Sequence, residues 1–183
     1  YAGNMKVARE VINAIPRKRL FTQIEPDGKQ PHELRRTLAF GYSQFNLSHF
    51  IDIFMMARKI GISIDNATSE DGRSFYKAMD FLVPYVGKDV KAWPYQQISE
   101  WKYKQQEFCK DLYRTFLLNP ERKDYLKLYK THRIIDWKDR FNLLWMEADD
   151  VDNAYAFACG QLQFAMQCAA KARKEADNQC KHR

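Results

Sequence analysis

Apolar residues recur along this chain at intervals of three and four almost from end to end, and no stretch alternates strictly for more than about five residues. A half-buried strand needs that alternation, because successive side chains point to opposite faces. The pattern therefore predicts an all-α protein.

The first helix is expected from about Met5 toward Ile24, with Val7, Val11, Ile12 and Ile15 as its apolar stripe and Pro16 kinking or dividing it. Pro26-Asp27-Gly28 turns the chain, and a second helix runs from near Pro31 to about Ile60, stopped by Gly61. Phe50, Ile51, Phe54, Met55 and Ala57 make its second half apolar on most sides, as a buried helix requires. A shorter helix carrying Phe75, Ala78, Met79 and Leu82 ends at Pro84. Ser99 is placed to cap a helix holding Trp101, Phe108, Leu112 and Phe116, and Asn119-Pro120 to open the next as cap and first residue. The segment from Trp137 to Met146 is ambiguous between helix and short strand, and a final helix is expected from about Val151 to Asp177. About six antiparallel helices with connections of uneven length, and no fixed-period repeat, suit an irregular α/α toroid or a bundle better than a solenoid.

At 183 residues and 45% hydrophobic content the chain can bury the core of one domain, read here as 1–183. Its formal charge of +7 and pI near 9.2 favour an anionic partner: a nucleic acid, an acidic polysaccharide or a membrane surface. Asp52, Arg58 and Lys59 interrupt the longest apolar stretch, Phe45 to Ile64, so no membrane span is expected. Cys109, Cys159, Cys168 and Cys180 show no zinc-ligand spacing and are read as free or packed, with no metal or cofactor implied.

Chemistry is concentrated between Pro26 and Leu47. On a continuous helix Arg35, Tyr42 and His49 recur at two-turn intervals with Asn46 one turn beyond Tyr42, a polar line that would be costly to bury without partners. A cation and a phenol on one face can bind an anion and move a proton. Surface charges paired as Glu33 with Arg36, and a core tyrosine, are the plain alternative.

The run Asp27-Gly28, Glu33-Leu34, Arg36-Thr37 and Tyr42-Ser43-x-Phe45-Asn46-Leu47 resembles the signature of the alginate lyase family of polysaccharide lyases. Matching blocks follow in order: Gly61-Ile62-Ser63-Ile64, Gly72-Arg73-Ser74, the run from Ala78 to Tyr85, and Trp93-Pro94-Tyr95-Gln96-Gln97-Ile98. The similarity extends roughly from Met5 to Leu118. It implies an incomplete (α/α) toroid of antiparallel helical hairpins, the C-terminal part of a larger lyase domain, and β-elimination on a uronic-acid-containing polysaccharide such as alginate.

That chemistry suits the residues. A C5 hydrogen beside a carboxylate is weakly acidic, so a cation must neutralise the carboxylate, and arginine binds it bidentately. The resemblance gives Tyr42 the proton transfers, with Arg35 or Arg36 as neutraliser. Arg35 has the better same-face spacing; Arg36 fits the Arg-Thr dipeptide but stands about 120° from Tyr42 on an ideal helix. His32, His49 and Trp93 are candidate substrate-binding residues. Enzymes of the family also use an Asn-His pair ahead of the matched region, and no asparagine here is followed by histidine, so that pair is expected on a segment upstream of Tyr1. A polymeric substrate implies a periplasmic or secreted protein. The competing readings are a non-catalytic carbohydrate-binding or scaffold domain, suggested by the missing pair, and a basic module for nucleic acid, disfavoured by scattered charge.

Overall fold

A computed structural model describes residues 3–134 and residue 140. The chain divides into two compact units, Tyr1–Ile134 and Ile135–Arg183, and the first is described below. The ambiguous segment Trp137–Met146, the expected helix Val151–Asp177, and Cys159, Cys168 and Cys180 lie outside the described residues.

Seven α-helices form this unit: α1 Met5–Ile15, α2 Phe21–Gln23, α3 Pro31–Leu34, α4 Ala39–Lys59, α5 Phe75–Leu82, α6 Trp101–Leu118 and α7 Lys123–His132. Among the described residues there is no strand, only the isolated bridges Leu38 with Gln97 and Thr68 with Ser74. The all-α expectation holds.

Local chemistry sets the helix ends. Asn4 caps α1 by accepting from the Val7 amide at 3.2 Å. Pro16 widens the helix instead of ending it: residues Pro16–Leu20 form a π-turn in which the Phe21 amide reaches the Pro16 carbonyl, and α2 follows directly. Beyond α4, Gly61 at φ +74° lets the Gly61 amide bond the Arg58 carbonyl and the Ile62 amide the Ala57 carbonyl, closing a Schellman motif at the expected stop. Ser74 caps α5 through the Lys77 amide.

Three expectations are corrected. Val7 and Val11 are 49% and 59% exposed, so half of the α1 stripe is not packed within this unit. Ser99 does not cap α6; Glu100 stands at its start in a left-handed conformation. Asn119 caps only a turn, accepting from the Glu121 amide, and α7 begins at Lys123 because the chain is not helical in between.

Side-chain pairs give the helix directions. Gln44 meets Asp111, Asp52 meets Arg114, and Arg58 meets the Leu118 carbonyl, so α4 and α6 run parallel. The chain returns along α5, where Phe75 stands edge-on to Phe54 at 5.0 Å. Phe40 at the head of α4 and Phe81 near the end of α5 both reach Trp93, so that return is antiparallel. It returns again along α7, where Tyr129 stacks on Tyr113 at 4.7 Å and the His132 carbonyl accepts from Gln106. Parallel helices side by side, each followed by an antiparallel return, form the unit of an (α/α) toroid.

The core is aromatic and aliphatic: Phe40, Leu47, Ile51, Phe54, Phe75, Met79, Leu82, Phe108, Leu112 and Tyr125 are almost wholly buried. Polar clamps tie the connections to it. Asp65, fully buried, accepts from Arg58, Ser63 and Tyr76. Arg122 lies on the Tyr125 ring at 3.6 Å and pairs with Asp80 and Asp124. Gly28, at φ +85°, lies so close to α5 that a Cβ there would stand 2.1 Å from the Lys77 carbonyl oxygen. Cys109 is buried and free, its thiol pushed up to about 12 by burial.

Asp111 lies wholly buried between α4 and α6, and burial pushes its carboxyl up to about 7 although Gln44, at 2.6 Å, and Arg114, at 3.3 Å, favour the charged form. An unfolded aspartate titrates at about 3.9, so the folded state binds the extra proton between the two values. This group's contribution to stability is therefore greatest below about pH 4 and declines as pH rises toward 7. Melting temperatures measured from pH 4 to 8 should decline less for Asp111→Asn than for the native protein; parallel curves would contradict the assignment.

Candidate functional site

The long helix expected from Pro31 to Ile60 is interrupted. α3 starts with Pro31 at its first position, ends at Leu34, and is followed by a non-helical stretch that pairs with the loop before α6. There the Ala39 amide bonds the Gln96 carbonyl at 3.0 Å and the Ile98 amide bonds the Thr37 carbonyl at 3.1 Å. Leu38 offers α4 no side-chain cap. Gln97 supplies it: its Oε1 accepts from the Phe40 amide at 3.0 Å and the Gly41 amide at 3.4 Å, while its Nε2 donates to the Ser99 carbonyl.

This break separates the two arginines. Arg35 lies on the α3 turn, not on the face of α4; its Nε donates to the Pro31 carbonyl at 3.0 Å and a terminal nitrogen stands 3.4 Å from His32 Nδ1. The same-face relation of Arg35 to Tyr42 does not exist, because residues 35 to 38 are not helical. Arg36 instead lays its guanidinium over the Tyr42 ring, 3.5 Å from the centroid, and keeps Glu33 at 3.8 Å.

Tyr42 is half-buried and lines a cavity of about 220 Å3 with Leu38, Gly41, Phe45, Glu100 and Lys104. Tyr42, Phe45 and His49 do share one face of α4. His49 is exposed, bonds the Phe45 carbonyl through Nδ1 at 2.7 Å and lies 4.3 Å from the Phe45 ring. Asn46 faces structural partners: its Nδ2 donates to Gln23 and Gln30, and buried Gln30 donates onward to the Ser43 carbonyl. His32 is exposed beside Arg35. Trp93 is 5% exposed, enclosed by Phe40, Tyr85, Tyr95 and Trp101, so it supports the head of α4 from below.

The site thus gathers a phenol, a guanidinium on its ring, an ammonium, a carboxylate and an open aromatic face around one cavity. Gln97, Glu100 and Lys104 were not singled out from sequence. Gln97 stands in the quoted Trp93–Ile98 block, but nothing local shows that its amide reaches back 57 residues to Phe40. Among the described residues no three His, Cys, Asp or Glu side chains converge as a metal site, and no helix is long and apolar enough to cross a membrane.

Residues 1–93 match the family model described as alginate lyase. The crystal structure of an alginate lyase from Bacteroides ovatus is 46% identical to this chain with a TM-score of 0.76, over 79% of this chain and 38% of that one. The chain thus spans little more than a third of that protein's length. No curated protein matches it.

Loss of the Gln97 cap should loosen the head of α4. Gln97→Ala is expected to cost about 1 kcal/mol in urea unfolding, the usual worth of a helix cap. An unchanged midpoint would show that the Phe40 and Gly41 amides do not depend on it.

Proposed function

The chain belongs to the alginate lyase family, and on that premise we propose that the protein is a polysaccharide lyase that cleaves a uronic-acid-containing polymer such as alginate by β-elimination, with Tyr42 and Arg36 in its active site. The observation that carries this reading is the Arg36 guanidinium held 3.5 Å over the ring of Tyr42, a residue that lines a cavity.

The chemistry follows from that pair. The C5–H bond of a uronate ring breaks only if charge developing toward the carboxylate is neutralised, and the Arg36 guanidinium over the Tyr42 ring supports giving that role to Arg36. Tyr42, acting as its phenolate, takes the C5 proton, the C4–O bond breaks, and the phenol so formed gives that proton to the departing glycosidic oxygen. The products are a new chain end and a ring with a C4–C5 double bond. Arg35, engaged with Pro31 and His32, supports the α3 turn. A periplasmic or secreted location accords with a polymer substrate.

The second reading, a carbohydrate-binding or scaffold domain without turnover, is favoured by the lack of any Asn-His dipeptide in the sequence. The two readings divide on one assay. The full-length protein incubated with alginate and other uronate polymers should raise ultraviolet absorbance as the double bond forms, and Tyr42→Phe should abolish the rise. Normal turnover by Tyr42→Phe would refute this mechanism, and a flat trace from the native protein alongside retained binding would favour the scaffold. Arg36→Ala is expected to lower kcat about 100-fold, the usual scale for losing one group that stabilises transition-state charge. Arg35→Ala should act chiefly on stability.

A further inference from the structure

Gly41 has no backbone reason to be glycine. It lies inside α4 without a positive φ, where glycine costs about 1 kcal/mol relative to alanine. Its space is taken by another side chain: the Cγ, Cδ and Cε atoms of Lys104 lie 3.1, 3.2 and 3.3 Å from where a Cβ would stand. The notch lets the lysine stem cross α4 one residue before Tyr42 and reach the wall of the same cavity. The Lys104 ammonium stands 5.0 Å from the centre of the Tyr103 ring, and among the described residues no carboxylate pairs with it.

Two further features serve the same cavity. Glu100 adopts φ +59° and ψ +17°, a conformation costing a non-glycine residue on the order of 1 kcal/mol, and thereby lines the pocket at the start of α6. Phe45 is 55% exposed on the face of Tyr42, with its ring braced by His49. An ammonium, a carboxylate and an open aromatic ring are the groups that suit a sugar acid: the cation for its carboxylate, the acceptor for its hydroxyls, the ring for its C–H face. At about 220 Å3 the cavity lies below the ~300–1,000 Å3 of clefts for drug-sized ligands, so it suits a single ring.

We propose that this cavity is a binding subsite for a uronic-acid ring adjoining the one on which Tyr42 acts, with Lys104 binding its carboxylate, Glu100 accepting from its hydroxyls and Phe45 packing against its face. Arg36, held on the Tyr42 ring, serves the reacting sugar; a polyuronate carries a carboxylate on every unit, and Lys104 takes the next. Lys104 is thus a substrate-binding residue, and the proposal rests on the lyase reading given above.

The test is calorimetric binding of a trimannuronate to the full-length protein in a Tyr42→Phe background, which prevents turnover while keeping the ring. Adding Lys104→Met should weaken binding about tenfold, the loss of one charge-assisted contact. It should change affinity for the fully methyl-esterified trimer less than twofold, and Lys104→Arg should restore most of the loss. Equal affinity with and without Lys104, or an equal loss for acid and ester forms, would overturn the subsite. Failure of the lyase reading shows separately, as an absent absorbance rise with the native protein, whatever Lys104 does to binding.

Discussion

The amide side chain of Gln97 on the first turn of α4 is the contact on which the arrangement of this site depends. A helix begins with amides that lack intrahelical partners, and Leu38 offers none of its own. By accepting from Phe40 and Gly41, Gln97 fixes where α4 starts and fastens the loop before α6 to that point. Everything around Tyr42 follows. Residues 35 to 38 leave the helix, Arg36 turns onto the phenol ring, and Glu100 and Lys104 reach the cavity lined by Tyr42 from the start of α6.

The scaffold beneath holds this fixed. Phe40, one residue into α4, is enclosed by Trp93, Trp101 and Phe108, each at an edge-on angle, so the head of α4 is seated in an aromatic box that admits little rotation. Further along, the parallel contact with α6 is polar and buried, through Gln44, Asp111 and Arg114. A buried carboxyl there costs more than an apolar pair would, but its partners have fixed geometry, and one of them, Gln44, stands two residues beyond Tyr42. The site is thus built on packed helices, with the non-helical segments supplying Arg36, Leu38, the Gln97 cap and Glu100.

Around the phenol the charges divide by role. Arg36 lies over the ring, 3.5 Å from its centroid, and in the proposed mechanism it meets the charge that develops during reaction. Lys104 reaches the cavity on a flexible stem laid across Gly41, which suits it to hold a charge already present on a ligand. Glu100 lines the same cavity from the start of α6.

The amino-acid sequence by itself determined the helical class, the buried faces of α4 and α5, the stop at Gly61 and the family blocks that single out Tyr42. These are readable because each is set by periodicity, by a glycine at positive φ, or by residues close in the chain. It placed Arg35 and Tyr42 on one continuous helix because helical spacing carries no sign of a break whose cause lies far downstream. The caps foreseen at Ser99 and Asn119 failed for a related reason: cap preference is local and weak, and tertiary contacts decided where α6 and α7 begin. Trp93 looked suited to a sugar, but the clustering of Phe40, Tyr85 and Trp101 around it made it core. Which arginine meets the tyrosine, and that Lys104 shares its cavity, were decided only by the tertiary structure. The reason is physical: an amide 57 residues along the chain from Phe40 sets where α4 starts, and the parallel packing of α4 on α6 leaves a glycine-sized gap for a lysine to cross.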